Sequence, residues 1–252
     1  MYKNEYLPTK CWFKNGELHR AYYVYDEYVD ESPRDWNPLS IIVNASGYSL
    51  CGKDDISTND IEEWLIRETG INEEWYWNNK ERYGGIDRLI EKFKKEKCVA
   101  FSYLSVYDHS GVSVFCGYAR GWDYSAIGFV YVPKDCDEVK ADRKTHSLKE
   151  TEEWADKLMH SEIECLNQYV SGEVYGVIEE VYDTETDSWD EVDSVFGIYL
   201  DPHNEKESAL QTIKDNYGTV IEFFDMDEIE TAIKNNTLDV YNGQILLPME
   251  IA

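Results

Sequence analysis

The sequence predicts an α+β fold, in which antiparallel sheets carry helices packed against them. β-Branched and aromatic runs of strand length are bounded by turn residues, and other segments place apolar residues at helical spacing. Several strand runs also follow one another through short turns, which favours antiparallel pairing. With 252 residues, 42% apolar residues and 14% aromatic residues, the chain has enough apolar material for a packed core.

The N-terminal region, residues 1–97, is predicted to begin with two strands. They cover residues 20–28 and 38–43, where β-branched and aromatic residues are enclosed by polar or Pro/Gly positions. These strands lead into the helical part of the region.

Two helices complete this region. Asn59 and Glu62 form the start signal of the first helix, and Gly70 ends it. The second, near residues 84–96, has apolar residues at i, i+3, i+4 and i+7, and its last turn is rich in lysine.

The central region, residues 98–200, is predicted to contain an antiparallel sheet and the longest helix. An alternating pattern predicts a three-stranded meander, the helix follows, and a hairpin closes the region. The predicted strands are 98–107, 112–116, 126–132, 173–182 and 193–200, and the helix is 148–170.

The C-terminal region, residues 201–252, is predicted to be α+β and is either separate from the central region or continuous with it. Its elements are a helix from Asn204 to Gly218, a strand at 219–224, a helix starting at Asp225, and a hairpin turning at Asn242-Gly243.

One carboxylate does not fit the long helix. Its apolar residues occupy one arc of the helical wheel, and Glu162 falls inside that arc. Either the helix bends there or the Glu162 carboxylate meets a partner that the sequence does not identify.

The charge balance restricts the choice of partner. The chain has 24 Lys and Arg against 51 Asp and Glu, a formal net charge of −27. Nucleic acid is therefore repelled, and a basic partner is attracted. Residues 1–150 carry 20 bases and 26 acids, a net −6, whereas residues 151–252 carry 4 bases and 25 acids, a net −21.

Residues 151–252 therefore supply most of a candidate partner-binding surface. Along 152–164, five carboxylates span about 18 Å of helix, which is about one charge per 4.5 Å. One DNA strand carries a charge about every 3.4 Å, so an acidic surface of this kind could compete with phosphates. The candidate residues are Glu152, Glu153, Asp156, Glu164, Glu179, Glu180, Asp183, Glu185, Asp187, Asp190, Glu191 and Asp193.

The sequence lacks the signatures of phosphate-binding loops, dinucleotide sites, zinc proteases and serine hydrolases, and it predicts no catalytic residue, cofactor or metal ion. Asp183, Glu185 and Asp187 imitate the start of a calcium loop, but Ser188 and Ser194 stand where glycine and glutamate are needed. An alternative ligand site is centred on the Asp108-His109 turn, with Tyr107 and Trp122 as neighbours.

The six cysteines are at least 18 positions apart, which is typical of buried thiols in a reduced cytosol. The first residues contain no apolar signal segment, and no run reaches the roughly 18 apolar residues of a membrane-spanning helix. We therefore expect a cytoplasmic protein.

Several segments resemble an acidic, uncharacterised protein family of phages and mobile elements in Gram-positive bacteria. The resemblance covers roughly residues 30–200, and the segments that carry it are Ser32-Pro-Arg-Asp-Trp-Asn37, Tyr107-Asp-His-Ser-Gly111, Trp122, Gly128-Phe-Val-Tyr-Val132 and Gln168-Tyr-Val-Ser-Gly-Glu-Val-Tyr-Gly176. This chain departs from the family pattern at 117–123, where the family has a Cys-Pro-Trp-Asp-Ser run. The resemblance implies a genomic setting in which small acidic proteins block host defence enzymes.

These observations favour a non-enzymatic inhibitor that mimics nucleic acid and occupies the groove of a basic host nuclease of the restriction or CRISPR type. Two alternatives remain open. One is an enzyme or small-ligand protein centred on Asp108-His109, and the other is an acidic oligomeric scaffold, for which a homodimer is one arrangement.

Overall fold

The computed structural model of the chain describes residues 3–218, 222–239 and 243–245. They form an α+β fold with mostly antiparallel sheets, which confirms the predicted fold class. Two compact units are present: unit 1 comprises Met1–Val29 and Gly172–Ala252, and unit 2 comprises Asp30–Ser171. This division differs from the three predicted regions 1–97, 98–200 and 201–252, because N-terminal strands pair with strands that follow residue 172.

The described elements are named in chain order. The strands are β1 (Lys10–Lys14), β2 (Glu17–Tyr25), β3 (Ile41–Asn44), β4 (Ile56–Ser57), β5 (Cys98–Asp108), β6 (Val112–Cys116), β7 (Tyr124–Pro133), β8 (Tyr175–Asp183), β9 (Ser188–Ile198), β10 (Phe224–Asp225), β11 (Leu238–Asp239) and β12 (Gln244–Ile245). The helices are α1 (Ile61–Thr69), α2 (Glu73–Tyr83), α3 (Gly85–Lys97), α4 (Asp137–Asp142), α5 (Leu148–Ser171), α6 (Glu205–Tyr217) and α7 (Met226–Lys234), and a 3₁₀ turn covers Pro33–Asp35.

Unit 1 is built on an antiparallel sheet with the strand order β10-β1-β2-β8-β9. Side chains alternate across a strand, so the neighbours Cys11 and Trp12 enter different apolar clusters. Trp12 packs with Ile213 of α6, and Cys11 packs with Ile229 of α7. Among the described strands of this sheet, β9 lies at the edge and pairs with β8 alone.

Unit 2 is built on a sheet with the strand order β4-β3-β7-β5-β6. One face packs against α5, where Val106 and Val130 meet Met159. The other face packs against α1 and α3, where Phe129 meets Trp64 and Phe93. The sheet is therefore covered by helices on both faces.

The predicted meander is wrong in its strand order. Strand β7 pairs with β5 on the side away from β6, so β5 lies in the middle. Residues 117–123 link β6 to β7 and allow the chain to cross to the other side of β5.

The predicted helices are confirmed with small shifts. Asp60, rather than Asn59, caps α1, and its carboxylate accepts hydrogen bonds from the N–H groups of Glu62 and Glu63 at 2.8 and 3.1 Å. Gly70 ends α1 with a φ of +65°, in the left-handed region that glycine adopts readily.

Parts of two C-terminal predictions lie outside the described residues. These are 219–221 of the predicted strand 219–224, and Val240, Tyr241 and Asn242 of the predicted hairpin. Within the described part, β11 and β12 pair antiparallel, and Asp225 donates its N–H to Glu228 at 2.9 Å at the start of α7.

Among the residues described, none of the helices has both the length and the apolar character needed to cross a membrane.

Candidate functional site

The hairpin formed by β8 and β9 carries a group of six carboxylates, here called the acidic hairpin. Its members are Asp183, Glu185, Asp187, Asp190, Glu191 and Asp193. Five of them are exposed and Asp183 is half-buried. Residues 183–202 contain no Lys or Arg, so no cation within this stretch neutralises the group.

The sequence prediction placed the acidic group in a long turn, and the structure corrects this. Strand β9 begins at Ser188, five residues before the predicted strand, so Asp190, Glu191 and Asp193 belong to the strand. Only 184–187 form the turn. Strand pairing with Val181 and Tyr182 of β8 extends the ladder through residues whose own strand propensity is low.

Local hydrogen bonds fix the turn end of the acidic hairpin. Asp183 accepts bonds from the Glu185 N–H at 2.8 Å and the Thr186 hydroxyl at 2.7 Å, and these bonds lower the pKa of Asp183. The Tyr182 hydroxyl donates to Asp187, which raises the pKa of Tyr182 to about 12. The Asp183 and Asp187 carboxylates are therefore held in place by local hydrogen bonds, and the bonds to Asp183 favour its ionised form.

Glu179 does not belong to a partner-binding surface, which corrects the sequence prediction. Only 6% of the residue is exposed, and its carboxylate lies 2.7 Å from His19 Nδ1. His19 is also buried, and it stacks on Trp12 with 5.5 Å between ring centroids. Because the partner stands 160 positions away in sequence, no local pattern reveals the pair.

Glu180 is likewise occupied within unit 1. Its side chain is 13% exposed, and it lies 2.5 Å from Arg20 Nε while accepting a hydrogen bond from the Tyr22 hydroxyl at 3.0 Å. Arg20 in turn lies over the Trp189 ring, 4.2 Å from its centroid. Burial and the bond to Glu180 raise the pKa of Tyr22 to about 12. Glu180 therefore anchors the base of the hairpin instead of facing a partner.

The acidic positions of α5 belong to unit 2, whereas the acidic hairpin belongs to unit 1. Glu152, Glu153 and Asp156 are exposed as predicted, and Glu164 is half-buried. Lys149 lies 3.6 Å from Glu153, which reduces the charge of this face. We therefore treat the acidic hairpin as the candidate site by itself.

Glu162, the carboxylate that did not fit the helix, has partners. It accepts hydrogen bonds from the N–H groups of Leu39 and Ser40 at 2.7 and 2.9 Å, and Arg34 Nη1 lies 3.9 Å away. The alternative that this carboxylate meets a partner is confirmed, and its role is to hold the chain before β3.

Sequence reasoning missed a buried ion pair close to this contact. Arg34 and Asp55 face each other with two hydrogen bonds of 2.8 and 2.6 Å, and their side chains are 1% and 2% exposed. Asp55 also accepts from the N–H groups of Ile42 and Gly52 at 2.7 and 2.9 Å. Gly52 is required because a Cβ there would lie 2.4 Å from the Arg34 carbonyl oxygen. The pair organises the start of unit 2.

The Asp108-His109 turn does not assemble a catalytic triad. The Asp108 carboxylate accepts a hydrogen bond from the Tyr48 hydroxyl at 2.7 Å, and His109 Nδ1 lies 3.7 Å from Asp123. The His109 side chain is 66% exposed, and Trp122 is fully exposed. Tyr107 packs on Tyr124, so the turn borders an aromatic surface.

The cysteines carry no activated thiol. All six are free, and burial raises the pKa of each, to about 12 for Cys11 and Cys98 and to about 11 for Cys116 and Cys165. The thiolate needed for nucleophilic attack or metal binding is therefore scarce at neutral pH. Within the described part of the chain, no group of three or more His, Cys, Asp or Glu residues could hold a metal ion.

The chain was compared with protein-family models, curated proteins and solved structures, and none of them matches it.

Proposed function

We propose that the chain is a non-enzymatic inhibitor whose acidic hairpin takes the place of nucleic-acid phosphates in the binding groove of a basic nuclease. The proposed target is a restriction or CRISPR-type nuclease in the cytoplasm of the host cell. The observation that carries the proposal is the acidic hairpin itself, a group of six ordered carboxylates, five of them exposed, in a stretch of sequence without Lys or Arg.

The spacing of the carboxylates supports this role. Asp190, Glu191 and Asp193 span three residue steps of β9, about 10 Å at the rise of a strand. Three charges in that length give one charge per about 5 Å, which is wider than the one charge per about 3.4 Å of a DNA strand but of the same order. Because side chains of a strand leave the backbone on alternate sides, such a row can face cations on both walls of a groove.

The geometry of the hairpin also supports binding rather than simple solubility. A solubilising surface mixes both signs of charge, whereas like charges held together repel one another and reduce stability. Here the anchoring contacts of Glu180 with Arg20 and of Asp187 with Tyr182 oppose that repulsion.

A cleavage assay tests the proposal. Purified restriction and CRISPR-type nucleases cut duplex DNA in the presence of increasing amounts of the wild-type chain. The test variant carries Glu185→Gln, Asp187→Asn, Asp190→Asn, Glu191→Gln and Asp193→Asn. The control has the same charge change at exposed carboxylates outside the hairpin: Glu5→Gln, Glu27→Gln, Glu81→Gln, Asp135→Asn and Glu230→Gln.

We expect the wild type and the control variant to inhibit cleavage by at least one nuclease, and inhibition to weaken as salt rises from 50 to 200 mM because salt screens surface charge. The hairpin variant should lose inhibition. Equal inhibition by the hairpin variant and the control would exclude the acidic hairpin as the binding surface.

A further inference from the structure

The outer edge of β9 offers backbone hydrogen-bonding groups to another polypeptide. Among the described strands of the unit 1 sheet, β9 pairs with β8 alone. A strand in this position presents a row of N–H and C=O groups that have no ladder partner. Residues 190–193 and 195–197 of β9 are all exposed, so this edge is open to solvent.

The strand register shows which groups of β9 point to the open edge. Asp26 donates its N–H to the Val174 carbonyl at 2.8 Å, and the register of β2 with β8 continues without a shift, so the even-numbered residues of β8 bond to β2. Ile178 is one of them, and its partner in β9 is Ser194. Ser194 therefore turns its N–H and C=O away from β8.

A carboxylate already occupies the Ser194 donor. Asp193 accepts a hydrogen bond from the Ser194 N–H at 2.9 Å. An added strand whose carbonyl takes over this N–H displaces the Asp193 carboxylate. The displaced carboxylate is then stabilised by a cation, which an added strand can carry on its own side chains.

The charge of β9 selects a basic partner. Asp190 and Asp193 lie on one face of the sheet and Glu191 on the other, because their partners in β8 alternate between the faces. Residues 183–202 contain no Lys or Arg. Lys or Arg side chains on either face of an added strand therefore lie beside carboxylates of β9, and opposite charges on neighbouring strands stabilise their pairing.

Apolar side chains lie between these charges. Val192 is 55% exposed, Val195 is 38% exposed and Phe196 is 40% exposed. Phe196 is held against the backbone of β8, since a Cβ on Gly176 would lie 2.4 Å from its ring. The edge thus offers apolar contacts as well as charges, and it suits a strand that contains both basic and apolar residues.

A second copy of the chain is a poor partner for this edge. Two β9 strands side by side would bring their carboxylates together, and like charges on paired strands are destabilising. Register shifts at two places in the β8–β9 ladder also put bulges into β9. Charges and bulges are the devices that prevent edge strands from pairing with themselves.

We propose that β9 binds a basic, extended segment of another protein by strand addition, with backbone hydrogen bonds to the open edge and Lys or Arg side chains paired with Asp190, Glu191 and Asp193. The inference uses the strand part of the acidic hairpin. It rests on the edge position and charge of β9 and does not require nucleic-acid mimicry.

The test uses an eight-residue peptide of alternating Lys and Val with blocked ends. A matched peptide carries N-methyl groups on its four central residues. It keeps every charge and side chain but loses donors on both edges, because successive N–H groups of a strand point to opposite edges. Isothermal titration calorimetry in 150 mM salt measures affinity, and amide hydrogen exchange followed by NMR locates the bound strand.

We expect the Lys-Val peptide to bind at least about tenfold more tightly than the N-methyl peptide, because several backbone hydrogen bonds are lost in the latter. With nine-tenths of the sites filled, exchange of the Ser194 N–H should slow by about tenfold, since only the unbound fraction exchanges.

A protein variant tests the charges separately. Asp190→Asn with Glu191→Gln and Asp193→Asn should weaken binding of the Lys-Val peptide by about 3- to 30-fold. The control has the same change of charge at exposed carboxylates elsewhere, Glu27→Gln with Glu81→Gln and Asp135→Asn, and should bind like the wild type. Thermal unfolding checks that both variants are folded.

The proposal is overturned if the Lys-Val peptide does not bind, if the N-methyl peptide binds equally well, or if the Ser194 N–H exchanges at the same rate with the site filled. Equal binding by the variant and its control would also overturn it. Slower Ser194 exchange in the chain alone as its concentration rises would identify a second copy as the partner instead. No nuclease is present, so each of these results is separate from the test of inhibition.

Discussion

Replacing Asp55 with asparagine should strongly destabilise unit 2. The Asp55 carboxylate is 2% exposed and accepts four hydrogen bonds, two from Arg34 and one each from the N–H groups of Ile42 and Gly52. Asparagine keeps one of the two acceptor oxygens. In place of the other it has an NH₂ group, which is a donor and cannot accept from the N–H groups that face it. The guanidinium of Arg34, 1% exposed, then stays buried without its hydrogen-bonded counter-charge, and its remaining carboxylate neighbour is Glu162, 3.9 Å from Nη1.

Removing one partner of a buried ion pair costs about 3–5 kcal/mol. For a chain of this size, a loss of 1 kcal/mol lowers the melting temperature by about 2–4 °C, so the Asp55→Asn variant should melt roughly 6–20 °C below the wild type. Asp54 is exposed next to this site, and the control Asp54→Asn should change the free energy of unfolding by no more than about 0.5 kcal/mol.

Urea and thermal unfolding followed by circular dichroism measure both variants. If Asp55→Asn costs less than about 1 kcal/mol, the pair does not hold unit 2 together in the way its burial indicates.

Two further predictions concern unit 1 and the thiols. The substitution Glu179→Ala should lower the free energy of unfolding by about 1–3 kcal/mol, because the buried His19 Nδ1 loses the Glu179 carboxylate that it contacts. The control is Asp193→Asn, at the exposed residue that pairs with Glu179 across β8 and β9. This control should change the free energy of unfolding by no more than about 0.5 kcal/mol. Equal effects of these two substitutions in urea unfolding would contradict the buried pair. At pH 8, far below the raised pKa of about 12 of Cys11 and Cys98, iodoacetamide should leave both thiols unmodified in the native protein and alkylate them in urea. Mass spectrometry of tryptic peptides reads the result, and rapid labelling of the native protein would show that these thiols are reactive.

Periodic patterns predicted much of the local structure. Helices α3 and α5 and strands β5 and β7 were found near their predicted positions, because each buries a regular apolar face. The start of β9 was missed, since acidic residues have a low intrinsic preference for strands and only pairing with β8 places them there.

Long-range contacts explain the remaining differences between the sequence predictions and the structure. The residues next to Glu179 in the sequence are those of an ordinary strand and do not distinguish a buried glutamate from an exposed one. Its buried contact is with His19, which lies beside it because β2 pairs with β8. The partners of Glu162 lie 122 and 123 positions away, so the helical wheel could show that this residue was unusual but not what it meets. The same pairing of β2 with β8 joins the two ends of the chain into unit 1.

Displacement of DNA from a nuclease tests the proposed mimicry most directly. A fluorescent duplex bound to a nuclease that the chain inhibits is titrated with the wild-type chain, the hairpin variant or the charge-matched control, and fluorescence anisotropy reports the bound fraction. We predict that the wild type and the control release the duplex, at higher concentrations as salt rises, and that the hairpin variant does not. A duplex that stays bound while cleavage is inhibited, or that the hairpin variant releases equally well, would contradict the proposal that the acidic hairpin occupies the nucleic-acid groove.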